Sequence, residues 1–163
     1  MVAVGLETER LSLEPLRVAH AQEMAPLLAD ERLHVFTGGQ PPTLRQLRDS
    51  YRRRVKEPGW CNWVVRDRDS GRVIGGMQAE IAERDGEPVA ELAWILGSAD
   101  QGHGYAREAA AAVVAWLREQ GVRSFIADIH ERNEPSMRLA RALGFVQSAE
   151  AADHAGDVRW RAV

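Results

Sequence analysis

Residues 89–120 constrain the architecture of this chain more than any other stretch. Val89 to Leu96 is an apolar run of strand length, followed by Gln101-Gly102-His103-Gly104-Tyr105-Ala106. From Ala106 onward, Ala109, Ala110, Val113, Val114 and Leu117 recur at three- and four-residue steps, which predicts a helix to about Gln120, closed by Gly121. A strand, a tight glycine turn and a helix start form a concave nest of backbone N–H groups without carbonyl partners, a place suited to phosphate. Gly102 and Gly104 would serve a plain turn equally well, so their context has to decide.

That context is a mixed sheet. Ser124 to Ile129 reads as the strand after the helix, making a βαβ crossover whose two strands are parallel neighbours. Upstream, Arg10 to Leu16 alternates as a strand that Pro15 limits to an edge or an end. A helix is predicted over Val18–Ala29, then a loop over His34–Gln40. Pro41-Pro42-Thr43 leads into a second helix, with Leu44, Leu47, Tyr51 and Val55 on one side. Arg45, Arg48, Arg52, Arg53 and Arg54 read as its solvated face, with an anion-binding surface as the alternative. Trp60–Arg66, Arg72–Ile81 and Val89–Leu96 form a meander turning at Asp67–Gly71 and Glu83–Glu87. Gly75-Gly76 suggests a bulge or a close backbone approach. Asn133 begins a last helix, burying Met137, Ala140 and Leu143 and stopping at Gly144. Phe145–Ala149 and Val158–Ala162 are an expected antiparallel pair, joined by an exposed Glu150–Asp157.

The expectation is one α/β domain over residues 1–163, a mixed, mostly antiparallel sheet with helices on both faces. A Rossmann domain would repeat βα units and carry GxGxxG, and a nucleotide triphosphatase would carry GxxxxGK[ST]; neither is present. The balance of 21 Lys plus Arg against 24 Asp plus Glu gives no global reason to expect nucleic acid binding. The single cysteine, Cys61, favours a reducing compartment. No apolar run approaches the ~18 residues of a membrane span, and no secretory leader is evident. A cytoplasmic protein without membrane association is expected.

Several short motifs follow one another along the chain: Thr8-Glu9-Arg10-Leu11, Glu91-Leu92-Ala93-Trp94-Ile95-Leu96, Gln101 to Ala109, Asn133-Glu134-Pro135-Ser136 and Leu143-Gly144-Phe145. In this order they resemble the GNAT superfamily of acetyl-CoA-dependent N-acetyltransferases. Within that superfamily the chain is similar to the ribosomal-protein N-terminal acetyltransferases, the RimJ and RimL branch. The resemblance implies a GNAT-like fold in which the parallel strand pair splays at the cofactor site. It implies that Gln101, Gly102, Gly104 and Ala106 hold the pyrophosphate of acetyl-CoA, with His103 and Tyr105 contributing backbone. Backbone groups of Trp94, Ile95 and Leu96 would pair with the pantetheine arm, an Ile95 or Leu96 N–H serving the thioester carbonyl.

The same resemblance places Asn133 near the pantetheine arm, and Asn133 is also a good N-cap by residue type. Ser136 becomes the acid that protonates the departing thiolate, because Ala140 stands where many relatives carry a tyrosine. Glu91 becomes the general base, directly or through water, with His130 and Glu131 as alternatives. A covalent role for Cys61 lacks any His–carboxylate constellation to support it. Phe36, Arg52, Trp60, Met77 and Trp160 could wall the acceptor site, although ordinary packing suits each of them, and Trp94 and Trp116 suit the core. The implied activity is acetyl transfer from acetyl-CoA to a primary amine, a protein N-terminus or a small amine, in a ternary complex, by a monomer or homodimer. A non-catalytic CoA-binding or protein-interaction module is the alternative, favoured only by Ala140.

Overall fold

Alternation along Trp60–Asp67 sends Cys61, Trp63 and Val65 to one side and Asn62, Val64 and Arg66 to the other, and each side meets its own helices. The computed structural model describes residues 1–163. In chain order it contains β1 (Leu6–Glu7), β2 (Leu11–Pro15), α1 (Ala21–Leu28), α2 (Leu44–Arg54), β3 (Trp60–Asp67), β4 (Val73–Arg84), β5 (Glu87–Leu96), α3 (Tyr105–Glu119), β6 (Ser124–His130), α4 (Glu134–Ala142), β7 (Val146–Gln147) and β8 (Asp157–Ala162). The eight strands form one sheet in the order β1-β2-β3-β4-β5-β6-β8-β7. Every pairing is antiparallel except β5 with β6. This is the mixed, mostly antiparallel GNAT-like sheet expected above. No helix is long and apolar enough to cross a membrane.

The larger core lies under α3 and α4. Ala109, Ala110, Val113 and Leu117 of α3 pack with Leu11, Leu13, Trp63, Leu92 and Phe125 of the sheet, all essentially inaccessible to water. Cys61 is fully buried in this cluster, and burial pushes its thiol above the ordinary value, so it behaves as a small core residue. Trp116 meets Trp63 edge to face at 5.5 Å. On the opposite face Ala21, Met24 and Leu28 of α1 and Leu47 and Tyr51 of α2 cover Val64 and Val73.

A polar clasp fixes α1 to that second face. His20 is 2% exposed, and its Nδ1 accepts the Arg17 backbone N–H at 3.0 Å. The proton therefore sits on Nε2, which donates to Glu14 Oε2 at 2.9 Å. Arg66 donates to Glu14 and to Glu23 of α1, each at 2.7 Å. Led by the Arg66 hydrogen bond, these contacts hold the Glu14 carboxyl down to about 2.

Several boundaries differ from the sequence reading. The β4–β5 hairpin runs on to Arg84 and Glu87, turning at Asp85 and Gly86, both with positive φ, so the turn is two residues long rather than five. The first helix opens as a 3-10 turn, Val18–His20, and a second such turn, Glu31–His34, occupies part of the expected connection. At Gly75 a Cβ would lie 2.3 Å from the Ile95 carbonyl oxygen, beside a register shift between Val65 and Arg66. The expected close approach and the bulge thus fall together. β7 and β8 pair as expected, with β8 inserted between β6 and β7.

Candidate active site

The site begins where β5 and β6 part. Their parallel register covers only Val89↔Ser124, Ala90↔Phe125 and Glu91↔Ile126, while β5 continues to Leu96 and β6 to His130. Beyond Glu91 the two strands share no ladder, which leaves backbone polar groups facing an opening in mid-sheet. The Gly97 N–H donates to the Ile74 carbonyl of β4 at 2.8 Å. Alternation then turns the Ile95 N–H toward β4 and the Leu96 N–H toward the opening.

A cleft of about 480 Å³ occupies this opening, walled by β5, the loop before α3, the length of α4 and, from the segment after α1, Arg32, Leu33 and Phe36. Of the residues expected at a cofactor site, Trp94, Ile95, Leu96, Gln101, Gly102, Gly104, Tyr105, Ala106, Asn133 and Ser136 line it, and His103 does not. Gly102 and Gly104 have φ of +81° and +80°, a region costly to residues with a Cβ. None of the backbone N–H groups from Gly102 through Arg107 has an acceptor within the chain, and α3 starts without a side-chain cap. The result is six free donors, augmented by the positive end of a fifteen-residue helix. Gln101 turns its side-chain N–H₂ back to the Leu96 carbonyl at 3.0 Å, tying the loop to the strand.

The loop is stapled from the far end of the chain. Arg10 donates to the His103 carbonyl at 2.9 Å and to Glu108 at 2.7 Å, and its guanidinium lies 4.4 Å from the Tyr105 ring centre. Thr8 donates to the same Glu108 at 2.6 Å. The His103 carbonyl is thereby held by Arg10. Arg107 and Arg138 line the cleft and form no ion pair, which gives it an anion-attracting rim. Sequence reasoning passed over both arginines, and the position of Arg107 in the first turn of α3 was the available signal.

On the α4 wall, Asn133 caps the helix, its side-chain oxygen accepting the Ser136 N–H at 3.3 Å. The Ser136 hydroxyl oxygen accepts the indole N–H of Trp94 at 3.1 Å. With that lone pair engaged, the hydroxyl proton remains free to be donated into the cleft. Trp94 is half-buried, packing against the core as expected while its indole N–H reaches the cleft wall and orients this serine. Ala140 is fully buried and does not line the cleft.

Glu91 stands apart. It is the last residue of the parallel register and faces the sheet surface opposite α3, in a small recess with Glu80, Ala82, Arg84, Val89 and Ile126. Its carboxylate groups with those of Asp128 and Asp153, the ligand atoms lying within 4.8 Å of one another. Asp128 is engaged by Arg159 through two hydrogen bonds of 2.8 and 2.7 Å, and Arg159 also lies 3.1 Å from Asp153. Arg159 already supplies the cation that cluster needs. Partial burial first, then the charges of Asp128 and Asp153, push the Glu91 carboxyl above its ordinary value.

The remaining candidates divide clearly. The His130 ring stacks 5.0 Å from Phe36, and its Nδ1 accepts the Arg132 N–H. Glu131 is exposed at the strand end. Among the five expected acceptor-wall residues only Phe36 lines the cleft. Met77 and Trp160 are packed at 3% exposure, Trp60 is half-buried at the start of β3, and Arg52 pairs with Asp49 on the outer side of α2.

Comparison with known proteins bears on the family and the fold. A family model described as "Acetyltransferase (GNAT) domain" matches residues 10–146. The mycothiol acetyltransferase of Thermobifida fusca (strain YX) is 31% identical over 107 residues, 60% of this chain and 33% of that protein. The chain thus spans about a third of the length of the curated relative it matches. Among solved structures, an acetyltransferase from Agrobacterium tumefaciens str. C58 is 24% identical, with a TM-score of 0.80, covering 98% of this chain and 94% of that one. The ribosomal-protein-S5-alanine acetyltransferase from Vibrio fischeri is 22% identical, with a TM-score of 0.82, covering 98% and 96%. At these identities the structural likenesses speak to the fold.

Proposed function

Because the chain belongs to the acetyltransferase (GNAT) family, we propose that it transfers acetyl from acetyl-CoA to a primary amine by direct attack in a ternary complex. The observation that carries this is the run of six unpaired N–H groups, Gly102 to Arg107, all but His103 on residues that line the same cleft as Ser136. The first can hold a pyrophosphate and the second can reach a departing sulfur. Acetyl-CoA supplies the acyl group as a thioester, which needs no metal for activation.

The residues take the following roles. Arg107, Arg138 and the Gly102–Arg107 amides bind the phosphates. The free edge of β5 orients the pantetheine arm, and the Leu96 N–H, directed into the splay, stabilises charge on the thioester oxygen. An amine attacks only when neutral, and Glu91 takes its proton, directly or through water. Desolvation suits Glu91 to this, since a carboxyl held above its ordinary value is a stronger base than an exposed one. Ser136, with its oxygen held by Trp94, donates its proton to the sulfur as coenzyme A leaves. The finer likeness to the RimJ and RimL branch rests on Ser136 in place of a tyrosine at Ala140, and leaves a peptide N-terminus or a small amine as acceptor.

Thiol release from acetyl-CoA, measured against N-terminal peptides, amino acids, polyamines and aminoglycosides, tests the proposal. Acceptor-dependent release with at least one class is expected. Tight coenzyme A binding with no release from any class would leave the non-catalytic module as the better account.

A further inference from the structure

Arg54 is the one half-buried arginine of the sheet surface opposite α3 that faces no carboxylate. Arg66 and Arg159, on the same surface, are each satisfied by acidic partners at 2.7 Å. Arg54 instead donates from Nε and Nη2 to the Asn62 side-chain oxygen, at 3.2 and 2.7 Å, and from Nη2 to the Gln78 side-chain oxygen at 2.7 Å. Both acceptors are neutral. Nη1, with two N–H groups, has no partner in the chain. Burial lowers the pKa of this guanidinium, with only the Tyr51 phenol acting in the opposite direction. A cation so placed is oriented by its neighbours but not neutralised by them.

Its location connects it to the reaction site. Asn62, Gln78 and Ala93 are successive cross-strand partners on β3, β4 and β5, all on the surface opposite α3. Ala93 is exposed, with Glu91 two residues before it and the splay alongside. The guanidinium bridging Asn62 and Gln78 therefore lies roughly one strand spacing, about 5 Å, from the uncovered strip over Ala93. A carboxylate bound at Nη1 and an amine two to four bonds from the carboxylate carbon would span that distance.

Resting on the acetyltransferase reading, we propose that Arg54 is a specificity residue for the acceptor, selecting primary amines that carry a carboxylate close to the amine. Two sources share this chemistry: the α-carboxylate of a free amino acid, and an acidic side chain at the first residue of a peptide. Asn62 and Gln78 hold the guanidinium fork in place, so little ordering is required on binding.

Matched pairs separate these possibilities. Free amino acids are compared with their carboxamides, and peptides starting with Asp or Glu with those starting with Asn or Gln, in the parent, Arg54→Gln and Arg54→Lys. A bidentate charge-assisted contact predicts a kcat/KM at least about tenfold higher for the acid member of one pair series in the parent, and the series that responds identifies the source. In Arg54→Gln the acid-to-amide ratio falls below about threefold, and Arg54→Lys, keeping charge without the fork, is intermediate. Thermal midpoint and acetyl-CoA affinity report on folding, and the parent ratios stand alone if the variants misfold. Equal rates for acid and amide forms in the parent, or a preference that survives Arg54→Gln, overturns the proposal while leaving acetyl transfer intact. Absence of transfer to every acceptor overturns both.

Discussion

The Trp94–Ser136 hydrogen bond permits a quantitative test of the acid assignment. Trp94→Phe keeps an aromatic ring and removes the single N–H that reaches Ser136 at 3.1 Å. In the ground state a neutral hydrogen bond of this kind contributes about 1 kcal/mol net. As Ser136 gives up its proton, its oxygen gains negative charge and the indole N–H becomes charge-assisted, raising the figure to about 2 kcal/mol. Turnover measured by thiol release with saturating substrates reads the difference, about 1 kcal/mol, and should fall about fivefold in Trp94→Phe. Ser136→Ala should slow turnover with little loss of coenzyme A binding. The decisive species is the double variant: once the hydroxyl is gone the indole N–H has nothing to orient, and Trp94→Phe should cost less than about twofold more. Equal losses from Trp94→Phe in both backgrounds would show that the ring acts by packing alone, and would refute the coupling to Ser136.

Three further outcomes are expected. Glu91→Gln should lower turnover most at lower pH, where amine deprotonation is hardest. It should also raise the thermal midpoint at pH 7 but not below the ordinary carboxylate range. The folded state holds the Glu91 proton more tightly than the unfolded chain does, so its contribution turns unfavourable as pH rises through the folded pKa; an unchanged pH–rate profile removes Glu91 from the base role. Gly102→Ala meets no atom within 4 Å, so its cost is the positive φ alone, about 1–2 kcal/mol; the exposed free loop sheds that strain by relaxing and must take it up again to bind, so calorimetry should find coenzyme A binding about five- to thirtyfold weaker. An unaltered affinity would mean the loop amides are not the phosphate site. Glu14 is lowered from 4.5 to about 2, so its stabilising contribution is complete above about pH 5 and is lost as pH falls toward 2, amounting to at most about 3 kcal/mol. Glu14→Gln should therefore flatten the acid limb of a chemical-denaturation series between those values, and an acid limb identical to the parent's would contradict the clasp.

The sequence disclosed the parts of the site that are local in the chain. The strand, glycine turn and helix over residues 89–120 are written in periodicity and in two glycines, and the Asn133 cap in residue type. Contacts made across the sheet were not visible. Nothing near Trp94 announces Ser136, which lies 42 residues away on another element. Arg54 was grouped with the solvated face of α2, although it follows Leu47 and Tyr51 by seven and three residues and so shares their buried side. Its charge masked its phase. The hairpin turn was drawn too wide because alternation over Glu83–Glu87 is polar on both sides, and only the Asp-Gly pair marks where the chain reverses.

A sheet joined at its middle by three residue pairs is mechanically two sheets. Strands β1 to β5 form one plate and β6 to β8 the other, linked by that short seam, by the crossover through α3 and by the core that both share beneath it. A molecule lying in the splay and bonding to both plates would act as mortar between them. Its affinity would then appear as resistance to shear along the seam. Amide exchange should slow on β6 and β8 as well as at the strand edge it touches, and by an amount that grows with the logarithm of its concentration.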